Sequence, residues 1–178
     1  VRPVPVSRRD RPHAFTTYLV AARPDVVTCR GGMLVKPNYT FGDCPPPDVL
    51  VVPGGAGVGA AQEHSETIAW IRSVAEMAKA TTSVCTGAFL LARAGLLDGK
   101  PATTHWAEIA AMRERYPRVH VHDDYRVVDL GRVITSAGVS AGLDMTLHLI
   151  EKLLGHDAAL ETARGIEYRW EPVPTLVA

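Results

Sequence analysis

Short unbroken apolar runs alternate with apolar stripes at helical spacing along most of the chain. Asp48–Pro53 (DVLVVP) and Thr81–Val84 are continuous, short and rich in β-branched residues. Such runs predict buried parallel strands, packed on both faces. From about Ser65 to Lys79, Ile68, Ile71, Ala75 and Ala78 keep a helical period, which predicts a helix. Further helices are predicted at Thr86–Ala94, stopped near Gly95, at Trp106–Tyr116, closed by Pro117, and at about Ser140–Leu154 and Asp157–Glu167. Strands are predicted at Phe15–Ala21, Pro101–Thr104, Val119–Val121, Tyr125–Asp129 and Val133–Thr135, with Gly131 turning the last two. Val26–Cys29 and Met33–Lys36 flank Gly31-Gly32 and predict a small hairpin. Val1–His13 and the residues from Glu171 onward read as irregular, and Asp144 and His148 at i, i+4 predict a local polar pair. Strands alternating with helices define an α/β fold with a mainly parallel sheet, read as one domain over residues 1–178. In such sheets ligands bind beyond the carboxyl ends of the strands.

Composition narrows the function classes. Apolar residues make up 47% of the 178 and charged residues 21%, which fits a folded core rather than disorder. Nineteen basic residues balance nineteen acids, so neither a nucleic acid nor a membrane surface is an expected partner of this chain alone. The longest uncharged runs, Val49–Gln62 and Ala80–Ala92, are too short to span a bilayer. Val1–Ser7 has no apolar stretch of the kind a secretory signal needs. Cys29, Cys44 and Cys85 are odd in number, widely spaced and free of any CxxC pair. A disulfide framework or zinc site is not expected, and a reducing cytoplasm is.

Two strand ends hold the candidate chemistry. Cys85 lies where a strand turns into a helix with no loop between them. That is the geometry of a nucleophile elbow, and the unpaired N–H groups of the helix start favour a thiolate there. Thr86 offers its N–H and its hydroxyl, and Gly87 permits a tight turn. The second strand end leads into PGGAGVG at residues 53–59. Gly54 and Gly55 let backbone N–H groups approach a substrate and, with Thr86, form a candidate oxyanion hole. Gly55-x-Gly57-x-x-Ala60 also fits a relaxed dinucleotide fingerprint, but Glu76, the acid near the required spacing, falls inside a helix. His105, after Ala102-Thr103-Thr104, has two readings: a partner of the Cys85 thiolate, or a histidine bonded only to its neighbours beside Trp106. His120, His122 and Asp123 suggest a metal site less well than a solvated strand, and no metal is assigned. Cys29 and Cys44 have neither base nor elbow and read as structural or incidental.

Asp48-Val49-Leu50-Val51-Val52-Pro53-Gly54-Gly55, Thr82-Ser83-Val84-Cys85-Thr86-Gly87 and Ala102-Thr103-Thr104-His105-Trp106 together resemble the DJ-1/PfpI superfamily. Phe41-Gly42-Asp43-Cys44-Pro45-Pro46, Gly57-Val58-Gly59-Ala60, Ala94-Gly95-Leu96-Leu97 and Glu167-Tyr168 extend the resemblance towards its isocyanide hydratases. The resemblance implies a flavodoxin-like sandwich, a homodimer, no cofactor, a small-molecule substrate and a cysteine nucleophile. Cys85 matches that nucleophile and Thr86 the threonine that assists it. The expected reaction is hydration of an isocyanide to an N-formamide. The family pattern also includes a first strand and an acid-Gly-Pro loop. Neither lies before Phe15, so both are expected upstream of Val1. Sensor-like domains of AraC-type transcription regulators share these motifs and supply the alternative, a ligand-sensing domain without chemistry. A regulator would need a further helix-turn-helix segment, which residues 1–178 lack, so the enzyme leads. A glyoxalase-like thiol enzyme would need a glutamate near the cysteine, and none stands at a matching position.

Overall fold

The computed structural model describes residues 14–171 and 175–177. The tail expected at Val1–His13 lies outside them. The chain divides into two compact units between Cys44 and Pro45. The first contains β1 (Val20–Ala21), β2 (Val27–Thr28), β3 (Leu34–Val35) and β4 (Tyr39–Thr40). β2 and β3 are the expected hairpin, antiparallel around Gly31 and Gly32, both at φ +84°. The strand expected over Phe15–Ala21 keeps only its last two residues. Its ladder to β4 opens where the Leu19 N–H donates to the Asn38 side chain and Leu19 C=O accepts from Tyr39.

The second unit runs β5 (Val49–Val52), α1 (Val58–Glu63), α2 (Ser65–Met77), β6 (Ala80–Val84), α3 (Gly87–Arg93), β7 (Pro101–Ala102), a 3-10 turn (Trp106–Glu108) and α4 (Ile109–Arg115). It continues with β8 (His120–Val121), β9 (Val127–Asp129), β10 (Val133–Ser136), α5 (Ala141–Leu154), α6 (His156–Gly165) and β11 (Thr175–Val177). Five strands form one sheet in the order β11-β9-β10-β6-β5. All its pairings are parallel except the β9–β10 hairpin, which turns at Gly131, φ +83°. β7 and β8 pair separately, in parallel.

Side-chain alternation sends each strand's residues to two cores. On one face, Leu50 and Val52 of β5 pack with Ala88 and Leu91 of α3, Leu97, and Met112 of α4. On the other, Val49, Val84, Val127 and Ile134 pack with Met145 and Leu149 of α5. The result is a mainly parallel α/β sandwich of flavodoxin-like type.

Three expectations are corrected here. β5 is parallel as expected but is not buried on both faces: Val51 is 51% exposed while Val52 is buried, and among the described residues β5 is the last strand of the sheet. Residues 58–63 are helical rather than loop, because Val58 and Gln62, one turn apart, both reach the interior. The tail holds a strand, β11, whose backbone pairs with Val127–Asp129.

The Asp144–His148 pair does not form. Asp144, 2% exposed, accepts from Arg126 Nε at 2.9 Å and Nη2 at 2.6 Å and from the Tyr168 hydroxyl at 2.9 Å. This hydrogen bond to a carboxylate raises the Tyr168 pKa. His148 Nε2 instead bonds Asp129 at 2.8 Å, beside the Lys152 ammonium at 2.9 Å. The reason is tertiary: Arg126, just before β9, and Tyr168 hold Asp144, while Asp129 at the end of β9 holds His148.

Candidate active site

β6 ends at Val84 and α3 begins at Gly87. Cys85 between them holds φ +58°, a left-handed conformation that costs a non-glycine residue about 1–3 kcal/mol. Four hydrogen bonds pin it there. The Cys85 N–H is shared between Ser136 C=O at 3.1 Å and Ala137 C=O at 3.2 Å. Its C=O accepts from the Thr104 hydroxyl at 3.0 Å and the Ala88 N–H at 3.3 Å. The elbow expected from sequence is present, and the strain is borne by the end of β10 and by the segment after β7.

Gly54, Gly55 and Thr86 meet at the same point. A Cβ on Gly54 would lie 2.8 Å from both the Cys85 Cβ and the Thr86 nitrogen. Glycine avoids that crowding, and Thr86 N–H has no hydrogen-bond partner among the described residues. A Cβ on Gly87 would run into the Val52 and Pro53 carbonyl oxygens, so glycine is what lets α3 start against the end of β5. Gly55 plays a different part from the one expected. Its N–H donates to Thr86 Oγ1 at 2.9 Å. That bond occupies a hydroxyl lone pair, while the hydroxyl proton faces the Gly55 C=O at 3.5 Å, a long contact that a better-placed acceptor can replace. Gly55 therefore orients Thr86 rather than presenting its own N–H.

His105 lies one residue beyond Thr104. Its Nδ1 accepts from the Ala107 N–H at 3.3 Å, capping the 3-10 turn, and its ring sits 5.6 Å from that of Trp106. A Cβ on Gly138 would overlap the His105 ring, so the loop after β10 closes directly onto it. Trp106 and Val139, 80% and 81% exposed, flank this contact in sequence. His120 is exposed, His122 approaches Asp124, and Asp123 approaches Arg113. Among the described residues no group of three or more His, Cys, Asp or Glu could hold a metal ion. All three cysteines are free thiols, and burial pushes the Cys44 thiol up despite a hydrogen bond from Tyr18.

Sequence reasoning missed Thr104 and the carbonyls of Ser136 and Ala137. Thr104 had a signal, a second hydroxyl in the ATTHW motif. The carbonyls had none, since any residue supplies one.

The sheet with helices on both faces, and a strained cysteine between strand and helix beside a glycine turn, mark a flavodoxin-like protein with a cysteine at its strand-to-helix elbow. The DJ-1/PfpI family model matches residues 4–152, and the chain belongs to that family. It is 45% identical over 146 residues to an isonitrile hydratase of Pseudomonas putida, covering 82% of this chain and 63% of that protein. It is 36% identical over 128 residues to the HTH-type transcriptional regulator GbdR of Pseudomonas aeruginosa, covering 71% of this chain and 34% of the regulator. Among solved structures, a ThiJ/PfpI family protein from Pseudomonas syringae matches with a TM-score of 0.79 and 38% identity, over 87% of this chain and 64% of that one. The chain thus spans less than two thirds of the length of these relatives.

Proposed function

We propose that this chain carries the nucleophile of a cysteine-dependent hydratase that converts an isocyanide to an N-formamide. The observation that carries the reading is Cys85 held at φ +58° beside Thr86, in a chain 45% identical to an isonitrile hydratase. The Cys85 thiolate attacks the terminal isocyanide carbon, forming a C–S bond, and that carbon takes a proton to give a thioimidate. Water adds to the same carbon, nitrogen takes a proton, and the C–S bond breaks. The N-formamide leaves and the thiolate returns, the product having gained the atoms of one water. The Thr86 hydroxyl, oriented by the Gly55 N–H, passes a proton at the reacting carbon. His105, packed against Gly138 and one residue beyond the Thr104 that bonds the Cys85 carbonyl, fixes that segment rather than taking a proton in this reading. The same reading needs no cofactor and takes the working form as a cytoplasmic homodimer.

The test is formamide production from a small apolar isocyanide, followed by chromatography. Thr86→Val is expected to lower turnover by about a hundredfold or more, as loss of one donor at a reacting centre does. Cys29→Ala and Cys44→Ala are expected to leave turnover within a few-fold of the wild type.

The 36% identity to an HTH-type regulator supports a second reading, a ligand-sensing domain. Isocyanide binding, seen by calorimetry, with no formamide over hours would favour it.

A further inference from the structure

Thr103, Thr104 and His105 of the ATTHW motif lie between β7 and the 3-10 turn, and only His105 received a role from sequence. The two threonines before it are each 1% exposed, and their hydroxyls go to different places. Thr103 Oγ1 donates to His122 C=O at 3.0 Å, and the Thr103 N–H donates to Thr135 Oγ1 at 2.9 Å. These bonds fasten the segment to the neighbourhood of β8 and to β10. Thr104 turns the other way and donates to the Cys85 carbonyl at 3.0 Å.

That carbonyl shares a peptide plane with the Thr86 N–H. A trans peptide places its C=O and N–H on opposite sides of the chain, in one plane. Whatever holds the Cys85 oxygen therefore aims the Thr86 N–H. A hydrogen bond accepted by the oxygen also polarises the peptide and makes its N–H a better donor. The remaining bond to this oxygen, from Ala88 at 3.3 Å, is longer. On the donor side nothing competes: Thr86 N–H is unpaired among the described residues, and glycine at position 54 spares its nitrogen a Cβ only 2.8 Å away.

We propose that Thr104 is a positioning residue that orients the Cys85–Thr86 peptide so that the Thr86 N–H meets the oxygen charge developing on carbon bound to Cys85 Sγ. In nucleophile elbows the N–H after the nucleophile commonly serves as an oxyanion donor; the assignment made here is of the group that aims it. It rests on the hydratase reading only for the identity of the natural substrate. In that reaction, oxygen charge appears when water has added to the thioimidate and the C–S bond is about to break.

The experiment compares two reactions of Cys85 in wild type, Thr104→Val and Thr104→Ser, each followed by mass spectrometry of the Cys85 peptide. Acetylation by p-nitrophenyl acetate forms the S–C bond through a tetrahedral oxyanion and expels p-nitrophenolate. Alkylation by iodoacetamide displaces iodide in one step and develops no oxyanion. For Thr104→Val the ratio of acetylation to alkylation rate is expected to fall about tenfold or more. Thr104→Ser, which keeps the hydroxyl, is expected to restore it to within a few-fold. A ratio unchanged in Thr104→Val overturns the proposal. So does a parallel fall in both rates, which would mark a general loss of the elbow. Formamide turnover by wild type, measured alongside, scores the hydratase reading separately: its absence would sink that reading and leave the ratio still decisive for Thr104.

Discussion

Cys85 spends folding free energy on a conformation that β-carbon-bearing residues avoid, and its surroundings are shaped to hold it. Gly54 and Gly87 show how little room there is. A methyl group at Gly87 meets two backbone oxygens, which cannot rotate away as a side chain would. Gly87→Ala is expected to cost about 1–3 kcal/mol, the usual penalty for overpacking a rigid site. The fall in the urea midpoint reads it, and a midpoint unchanged would mean that α3 can shift outward freely. Much of this was legible in sequence: the SVCTG string placed the thiol at a strand end, and PGG placed a side-chain-free turn nearby. What was not legible was direction. Gly55 was expected to point its N–H at substrate, yet it points at Thr86 Oγ1, because a glycine's freedom says where a backbone can go and not what it will meet.

At the scale of elements, β9, β10 and α5 are locked by one buried carboxylate. Burial of Asp129 acts to raise its pKa. Hydrogen bonds from His148, Lys152 and the Gly131 N–H, with the Lys152 charge, outweigh burial and bring it from 3.8 to about 2. A carboxylate held below its unfolded value stabilises the fold fully above that value. The contribution is lost as pH falls through the folded one. Asp129→Asn is therefore expected to lower the urea midpoint clearly at pH 6. The gap to wild type is expected to narrow steadily between about pH 4 and pH 2. A gap independent of pH would remove the charge from the explanation. The helices and strands of this region were readable from period and turn residues alone. The pairing of their polar side chains was not: i, i+4 spacing suggested Asp144 with His148, whereas Arg126 and Asp129 on neighbouring segments won both. Local spacing describes one helix in isolation, and tertiary partners of opposite charge outcompete it.

At the scale of the whole molecule, the alternation of strands and helices sufficed for the sheet's parallel character. It could not give the position of β5 at the sheet's end, because burial on both faces depends on which strand lies alongside. Among the described residues no helix is long and apolar enough to cross a membrane. The homodimer expected from family resemblance is tested by sedimentation velocity at micromolar concentration. A species of twice the chain mass is expected, and a monomer alone would count against it. The hydratase reading rests on the Cys85 thiol. Incubating wild-type protein and Cys85→Ala with a small apolar isocyanide and quantifying the N-formamide by chromatography addresses it directly. Wild type should form formamide in multiple turnovers and Cys85→Ala none above the uncatalysed background, with its fold intact by circular dichroism. Equal formamide from both proteins, or none from wild type, would contradict it.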